Sequence, residues 1–277
     1  YKGFMSQPAG NIILFVCMPL IIMGCGRSND TFTVSHGAII RGDSASRELA
    51  LVFTGDEFGD GMEFISMMLE SERIKASFFL TGNFYRKAEF KPVVRALVSQ
   101  GHYLGSHSDR HLLYCDWTNR DSLLVNRREF HDDLEASYGE LKKAGISRDQ
   151  AHYFLPPYEW YNDTIALWTE RSGLQLINFT PGTRSNADYT YPEMGSAYTD
   201  SRTIYNSVLS YEASSASGLN GFILLFHAGT DPRRTDKFYL IMPELVRELK
   251  GRGYTFVRID ELLDVTRKKE AHGSTGG

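Results

Sequence analysis

Apolar and polar positions fall in blocks along this chain. Residues 48–54 (ELALVFT), apolar from 49 to 53, read as a buried strand and are followed by a glycine-rich acidic loop from Gly55 to Gly61. Phe64, Ile65, Met68 and Leu69 then recur at helical spacing. The same succession returns further on. Residues 75–80 read as a second strand, Val93, Val94, Leu97 and Val98 as a helix, and residues 101–104 as a third strand. A longer helical pattern from Asp121 to Ala144 carries Leu134, Tyr138 and Leu141 on one face, with Gly145 as its stop. Residues 152–155, 174–179, 221–226 and 254–259 are predicted strands, separated by helices over 164–171, 203–213 and around Leu245, Val246 and Leu249. Residues 181–201 are polar and turn-rich, and a loop of that length in a compact domain is usually functional or mobile. Strand and helix alternate some seven times, which predicts an α/β protein with a parallel sheet or barrel.

The first residues break this pattern. Residues 11–24 form an apolar run too short for a comfortable membrane span and of the length of a signal-peptide core. It ends in Ile22-Met23-Gly24-Cys25, which resembles the lipobox of bacterial lipoproteins, where the cysteine is acylated and everything before it is removed. The expected organisation is a signal peptide over 1–25 with lipidation at Cys25, a tether over 26–36, one domain over 37–266 and a disordered tail over 267–277. Such a protein would sit in the bacterial cell envelope, lipid-anchored and facing the periplasm or cell surface. With Cys17 inside the apolar run and Cys25 lipidated, Cys115 is the only thiol left, so no disulfide forms within the domain. The 277 residues suffice for a large core, and a net charge of -4 argues against nucleic acid or a polybasic membrane face as partner.

Candidate chemistry collects after the strands. His107 and His111 are spaced like metal ligands, because neutral imidazoles four positions apart on a turn or helix converge on one side. Asp56 follows the first long strand directly and is the best third ligand; two imidazoles and one carboxylate leave open positions for water on a divalent ion. His227 ends the most apolar strand, and an imidazole there is a candidate general acid. Pro156, Pro157 and Tyr158 form a stiff segment suited to an oxyanion-binding amide. Asp56, His107, His111, Tyr158 and His227 all lie just beyond the carboxyl ends of separate strands, the catalytic face of a β/α barrel.

Together these residues resemble the polysaccharide deacetylase, or NodB-homology, family. Residues 107–111 (HSDRH) match its H-S/T-x-x-H motif, 225–227 its L-x-H motif, 154–158 (FLPPY) its F-R-P-P-Y motif and 76–82 its A-T-F-F-x-x-G strand, in the family's order. The resemblance implies a single-domain distorted (β/α) barrel of about seven units and a metal-dependent deacetylase acting on N- or O-acetyl groups of a carbohydrate. It implies a divalent ion, zinc first with cobalt or nickel as alternatives, held by Asp56, His107 and His111, with Tyr158 and His227 as catalytic groups. Pro157 and Trp160 are expected at the substrate, with Trp117 and Tyr161 as further stacking candidates. The chain departs from the family in its first motif, T-F-D-D-G, whose first Asp is the base: aligned through Ala76, Gly55 falls at that place. Leu155 replaces the arginine that supports the base, and the family's acidic and tryptophan pair has no clear counterpart in residues 178–188. Glu57 and Asp60 are the candidate substitutes for the base, and the alternative function is a carbohydrate-binding protein that keeps the metal pocket without turnover.

Overall fold

A computed structural model describes residues 32–264. The expected signal peptide with Cys25, residues 26–31 of the tether and the tail over 267–277 lie outside the described residues. The first element is one the sequence pattern did not reveal, an antiparallel hairpin of β1 (Thr33–Ser35) and β2 (Ala38–Arg41) that straddles position 36. His36 and Gly37 turn it with φ of 45° and 78°, and the Cβ that glycine lacks would stand 2.6 Å from Ala166.

The alternating units follow: β3 (Glu48–Gly55), α1 (Met62–Ser71), β4 (Ser77–Leu80), α2 (Gly82–Arg86), α3 (Lys91–Ser99) and β5 (Tyr103–Ser106). After them come α4 (Arg127–Lys143), β6 (Tyr153–Phe154), α5 (Asp163–Arg171), β7 (Gln175–Leu176) and α6 (Ser201–Ser214). The last units are β8 (Phe222–His227), α7 (Met242–Gly251), β9 (Thr255–Phe256) and α8 (Ile259–Leu262). The sheet runs β7-β6-β5-β4-β3-β8, with β9 also paired to β3, and every pairing in it is parallel. It curls into a half-barrel. Between its edges lie β2 and residues 177–180: Ile39 bridges Ile177, and the Thr180 N–H donates to the Ile223 carbonyl at 3.0 Å.

β3 is buried on both faces, which is why residues 49–53 are wholly apolar rather than alternating. Leu49, Leu51 and Phe53 pack with Ile65 and Leu69 of α1, whereas Ala50 and Val52 point into the barrel with Phe79, Leu155, Ile223 and Leu225. Each large side chain so buried contributes about 1.5–3 kcal/mol. Several boundaries differ from the sequence pattern for local reasons. α4 begins at Arg127 rather than Asp121, because Asn126 accepts the N–H groups of Arg128 and Glu129 while the Glu129 carboxylate accepts that of Asn126. β5 starts at Tyr103, two residues late, because Gly101 closes the preceding turn at φ 78°. Of the strand predicted over 254–259 only Thr255–Phe256 pairs, and α8 takes over at Ile259. Cys115 is buried and unpaired. No helix among the described residues is long and apolar enough to cross a membrane.

Beneath β4 and β5, His102 is buried with Nδ1 accepting the Ala76 N–H at 3.1 Å. Burial, helped by the charges of Lys75 and Arg258, pushes its pKa down to about 4 from 6.5. The folded protein therefore keeps this ring neutral while the unfolded chain protonates it, so stability present above pH 6.5 is lost as pH falls toward 4. His102→Asn retains an acceptor for Ala76 but cannot titrate. Its thermal midpoint should fall less steeply than that of the parent between those pH values; equal slopes would mean His102 carries none of the acid lability.

Candidate active site

Parallel register brings the ends of the central strands to one edge. Thr54 lies opposite Phe79 and His227, Leu80 opposite Ser106, and Ser106 opposite Phe154. The loops leaving that edge enclose a cavity of about 630 Å³ whose walls include Asp56, His107, His111, Tyr158, Glu159 and His227. The groups singled out in sequence as metal ligands and catalytic residues thus share one space.

His107 is buried, with Nδ1 2.8 Å from the Leu155 carbonyl. The carbonyl can only accept, so Nδ1 carries the proton and Nε2 presents its lone pair to the cavity. His111 does not reach it along a helix. Ser108 and His111 have φ of 72° and 58°, a left-handed path that costs free energy for side-chain-bearing residues and is retained by surrounding bonds. The Ser108 N–H donates to Ser106 Oγ at 3.1 Å and the His111 N–H to Ser108 Oγ at 3.0 Å. Asp133 of α4, fully buried, accepts the N–H groups of Asp109 and Arg110 at 3.0 and 3.2 Å. The two Nε2 atoms end 3.2 Å apart. Nitrogens bound at about 2.0–2.1 Å to one tetrahedral ion stand roughly 3.3 Å apart, so the pair fits a shared metal. Burial drives His107 well below 6.5, with the neighbouring His111 adding to the effect. Burial also lowers His111, against the opposing charge of Asp56. Both rings are neutral, the form that binds metal.

Asp56 lines the same cavity, its Oδ1 accepting from the Thr81 hydroxyl at 2.7 Å and the Asn83 amide at 3.4 Å. Among the described residues, no three His, Cys, Asp or Glu side chains are already gathered into a complete ligand set. The carboxylate recorded against the imidazole pair is one the sequence reading missed: Glu159 Oε1 lies 3.8 Å from His107 Nε2, with 11% of its side chain exposed. Burial, partly offset by the charge of His227 and reinforced by that of Asp188, pushes its pKa up to about 7. The only hint in sequence was an acidic residue directly after Pro157-Tyr158. Of the substitute bases expected, Glu57 is exposed at the cavity wall, and Asp60 is committed elsewhere. Asp60 accepts the Thr230 N–H at 2.9 Å and the Tyr239 hydroxyl at 3.1 Å and pairs with Lys237 at 3.0 Å.

Gly55 also sits differently from its alignment. A Cβ there would stand 2.9 Å from Leu80 and 3.2 Å from Phe84, in the packing between β3 and α2. Alternation along β3 turns Thr54 to the cavity instead, and its buried Oγ1 has no hydrogen-bond partner. Leu155 is fully buried inside the barrel.

His227 is held by a residue from the stretch in which no acidic counterpart was evident. Asp188 Oδ1 stands 2.6 Å from His227 Nδ1 and Oδ2 accepts the His227 N–H at 2.9 Å. Burial alone would lower this imidazole, but the charge and hydrogen bond of Asp188, together with the charge of Glu159, raise it above 6.5. Pro157 is buried, and the turn after it carries Tyr158 and Glu159 at φ of 59° and 52°. Glu159 and Trp160 donate their N–H groups to the carbonyls of Pro156 and Pro157, and among the described residues the Tyr158 N–H has no such backbone acceptor. Trp117, Tyr158 and Tyr189 stay 54%, 44% and 45% exposed at the cavity. Trp160 stands behind Trp117, with its Nε1–H donated to the Asp116 carbonyl and Arg120 over its ring at 3.7 Å. Tyr161, expected as a stacking surface, is instead core: it is buried and its hydroxyl donates to the Ser35 carbonyl.

A family model described as polysaccharide deacetylase matches residues 46–177. The chain is 22% identical over 240 residues to the peptidoglycan-N-acetylmuramic acid deacetylase of Bacillus subtilis, covering 86% of this chain and 80% of that protein. It is 27% identical over 199 residues to a bifunctional xylanase/deacetylase of Pseudobutyrivibrio xylanivorans, covering 72% of this chain and 27% of that enzyme, about a quarter of its length. Among solved structures, a CE4 family pseudoenzyme from Bacillus anthracis superposes with a TM-score of 0.63 at 19% identity, over 83% of this chain and 70% of that one. This last likeness carries the fold alone.

The direction of the Gly55 position has a measurable consequence. Gly55→Asp forces a side chain into filled space and buries a carboxylate, so denaturant unfolding should show a loss of about 1–3 kcal/mol. An unchanged midpoint would mean that the new side chain finds room in the cavity.

Proposed function

Because a family model described as polysaccharide deacetylase matches residues 46–177, we propose that the chain hydrolyses N- or O-acetyl groups on a carbohydrate polymer or oligosaccharide. Peptidoglycan glycan is the first substrate class to examine, on the strength of the relative's name. The observation that carries this reading is the pairing of two neutral imidazoles, Nε2 to Nε2 at 3.2 Å, with a carboxylate-held histidine, His227, in one cavity. His107, His111 and Asp56 would hold a divalent ion, zinc first with cobalt or nickel as alternatives, and that ion would supply Lewis acidity. The protein groups serve the leaving group, the oxyanion and the sugar. His227, tied through Nδ1 to Asp188, keeps its second proton on Nε2 and delivers it to the departing amine or alcohol. The Tyr158 N–H donates to the acetyl oxygen as charge builds there. Trp117 and Tyr189 offer exposed ring faces to the sugar, with Trp160 fixing the position of Trp117.

One observation favours a second reading, carbohydrate binding without turnover. The β3 side chain that faces the cavity at the strand's end is the hydroxyl of Thr54, so that strand offers no carboxylate base there. We extend the proposal to export and lipid anchoring through Cys25, with the domain in the cell envelope. Cys25→Ala should move the protein from the membrane to the soluble fraction; continued membrane association would refute the anchor.

Acetate release from acetylated chito-oligosaccharides and peptidoglycan fragments, with and without added zinc or cobalt, separates the two readings. Metal-dependent release is expected, and saturable sugar binding with no acetate across the panel selects the binder. His227→Ala should lower kcat by about 10²–10⁴-fold. Asp188→Asn removes the charge that keeps His227 protonated above pH 6.5, so the alkaline limb of the kcat/KM profile should move to lower pH. An unmoved limb would remove His227 as the acid.

A further inference from the structure

We propose that Glu159 is a ligand of the ion held by His107 and His111. Its Oε1 stands 3.8 Å from His107 Nε2, the atom left with a free lone pair once Nδ1–H is given to the Leu155 carbonyl. A carboxylate oxygen therefore faces a ring nitrogen that can only accept, and His111 Nε2 lies 3.2 Å from that nitrogen. Their side chains are little exposed, 2% for His107 and 11% for Glu159, so water does little to relieve the arrangement. Among the described residues no lysine or arginine forms an ion pair with Glu159, and the positive charge that acts on it is that of His227. A cation bound by all three atoms would satisfy them together. Oxygen and nitrogen ligands of a tetrahedral ion stand roughly 3.3 Å apart, so a side-chain shift of about 0.5 Å completes the contact.

The backbone is shaped for this placement. Tyr158 and Glu159 occupy consecutive left-handed conformations, and Asn178 Nδ2 donates to the Glu159 carbonyl at 2.8 Å, fixing the turn that projects the carboxylate inward. Asp56 is set further out: no oxygen of it comes within 4.0 Å of a ring nitrogen of either histidine, and its Oδ1 is shared by Thr81 and Asn83. Glu159 is then a ligand beside His107, His111 and the Asp56 of the proposed function. This inference uses the ion of the proposed function but not its turnover.

The full chain, stripped by a chelator, is titrated with zinc against a chromophoric competitor and with cobalt while its visible absorption is followed. Glu159→Gln should weaken zinc binding about tenfold or more and alter the cobalt spectrum. Glu159→Asp, which keeps the charge and decides the matter if the glutamine variant does not fold, should bind between the two with its own cobalt spectrum. Affinity within twofold of the parent and an unchanged spectrum in the folded variant would overturn the assignment, as would a parent protein that binds no metal. Acetate release is measured on the same samples. Metal bound through Glu159 with no acetate overturns the deacetylase reading alone, and acetate release with metal affinity indifferent to Glu159 overturns this assignment alone.

Discussion

Parallel pairing across the curled sheet is the constraint on which everything at the cavity depends. Because β3, β4, β5, β6 and β8 all run the same way, the residue after each strand's last paired position leaves at the same edge. Asp56, His107 and Leu155 are such residues, and His227 is the last residue of its strand. The hydrogen bond from His107 to the Leu155 carbonyl ties two of these exits together and also decides which ring nitrogen meets the cavity. A substitution that merely repacks the barrel interior would therefore be felt as a shift of the imidazole.

Within one small volume the protein shifts its histidines in opposite directions. His107 is pushed toward its neutral form by burial and by His111, and His111 by burial and by the charge of His227, whereas the charge and hydrogen bond of Asp188 raise His227 against its burial. The difference comes from which partner each ring meets, a hydrogen-bond acceptor without charge in one case and a carboxylate in the other. Neutral rings are suited to holding a cation and a charged one to giving up a proton.

The acidic groups show a corresponding redistribution. Thr54 faces the cavity from β3, Leu155 fills the barrel interior, and Gly55 lies against Leu80 and Phe84. A carboxylate is nonetheless present, contributed by Glu159 from the turn after β6. The carboxyl group that one strand end lacks is thus offered by another, on two consecutive left-handed residues.

The α/β class, the β/α units and the identity of His107, His111, Asp56 and His227 as the groups at strand ends were legible in the sequence, because apolar runs and glycine punctuation are local signals. Local signals also account for most helix positions, since capping groups such as Asn126 lie beside the residues they cap. What only the folded chain decided is which distant groups meet. Asp188 lies 39 residues from His227, and Asp133 and Glu159 reach the loop that carries His107 from 24 and 52 positions away. The direction of a side chain at the end of β3, Thr54 inward and Gly55 outward, likewise needed the register of its neighbours, because strand periodicity specifies alternation but not which face is the cavity. Hydrogen bonds and ion pairs between remote segments leave no period in the chain, so tertiary structure alone reveals them.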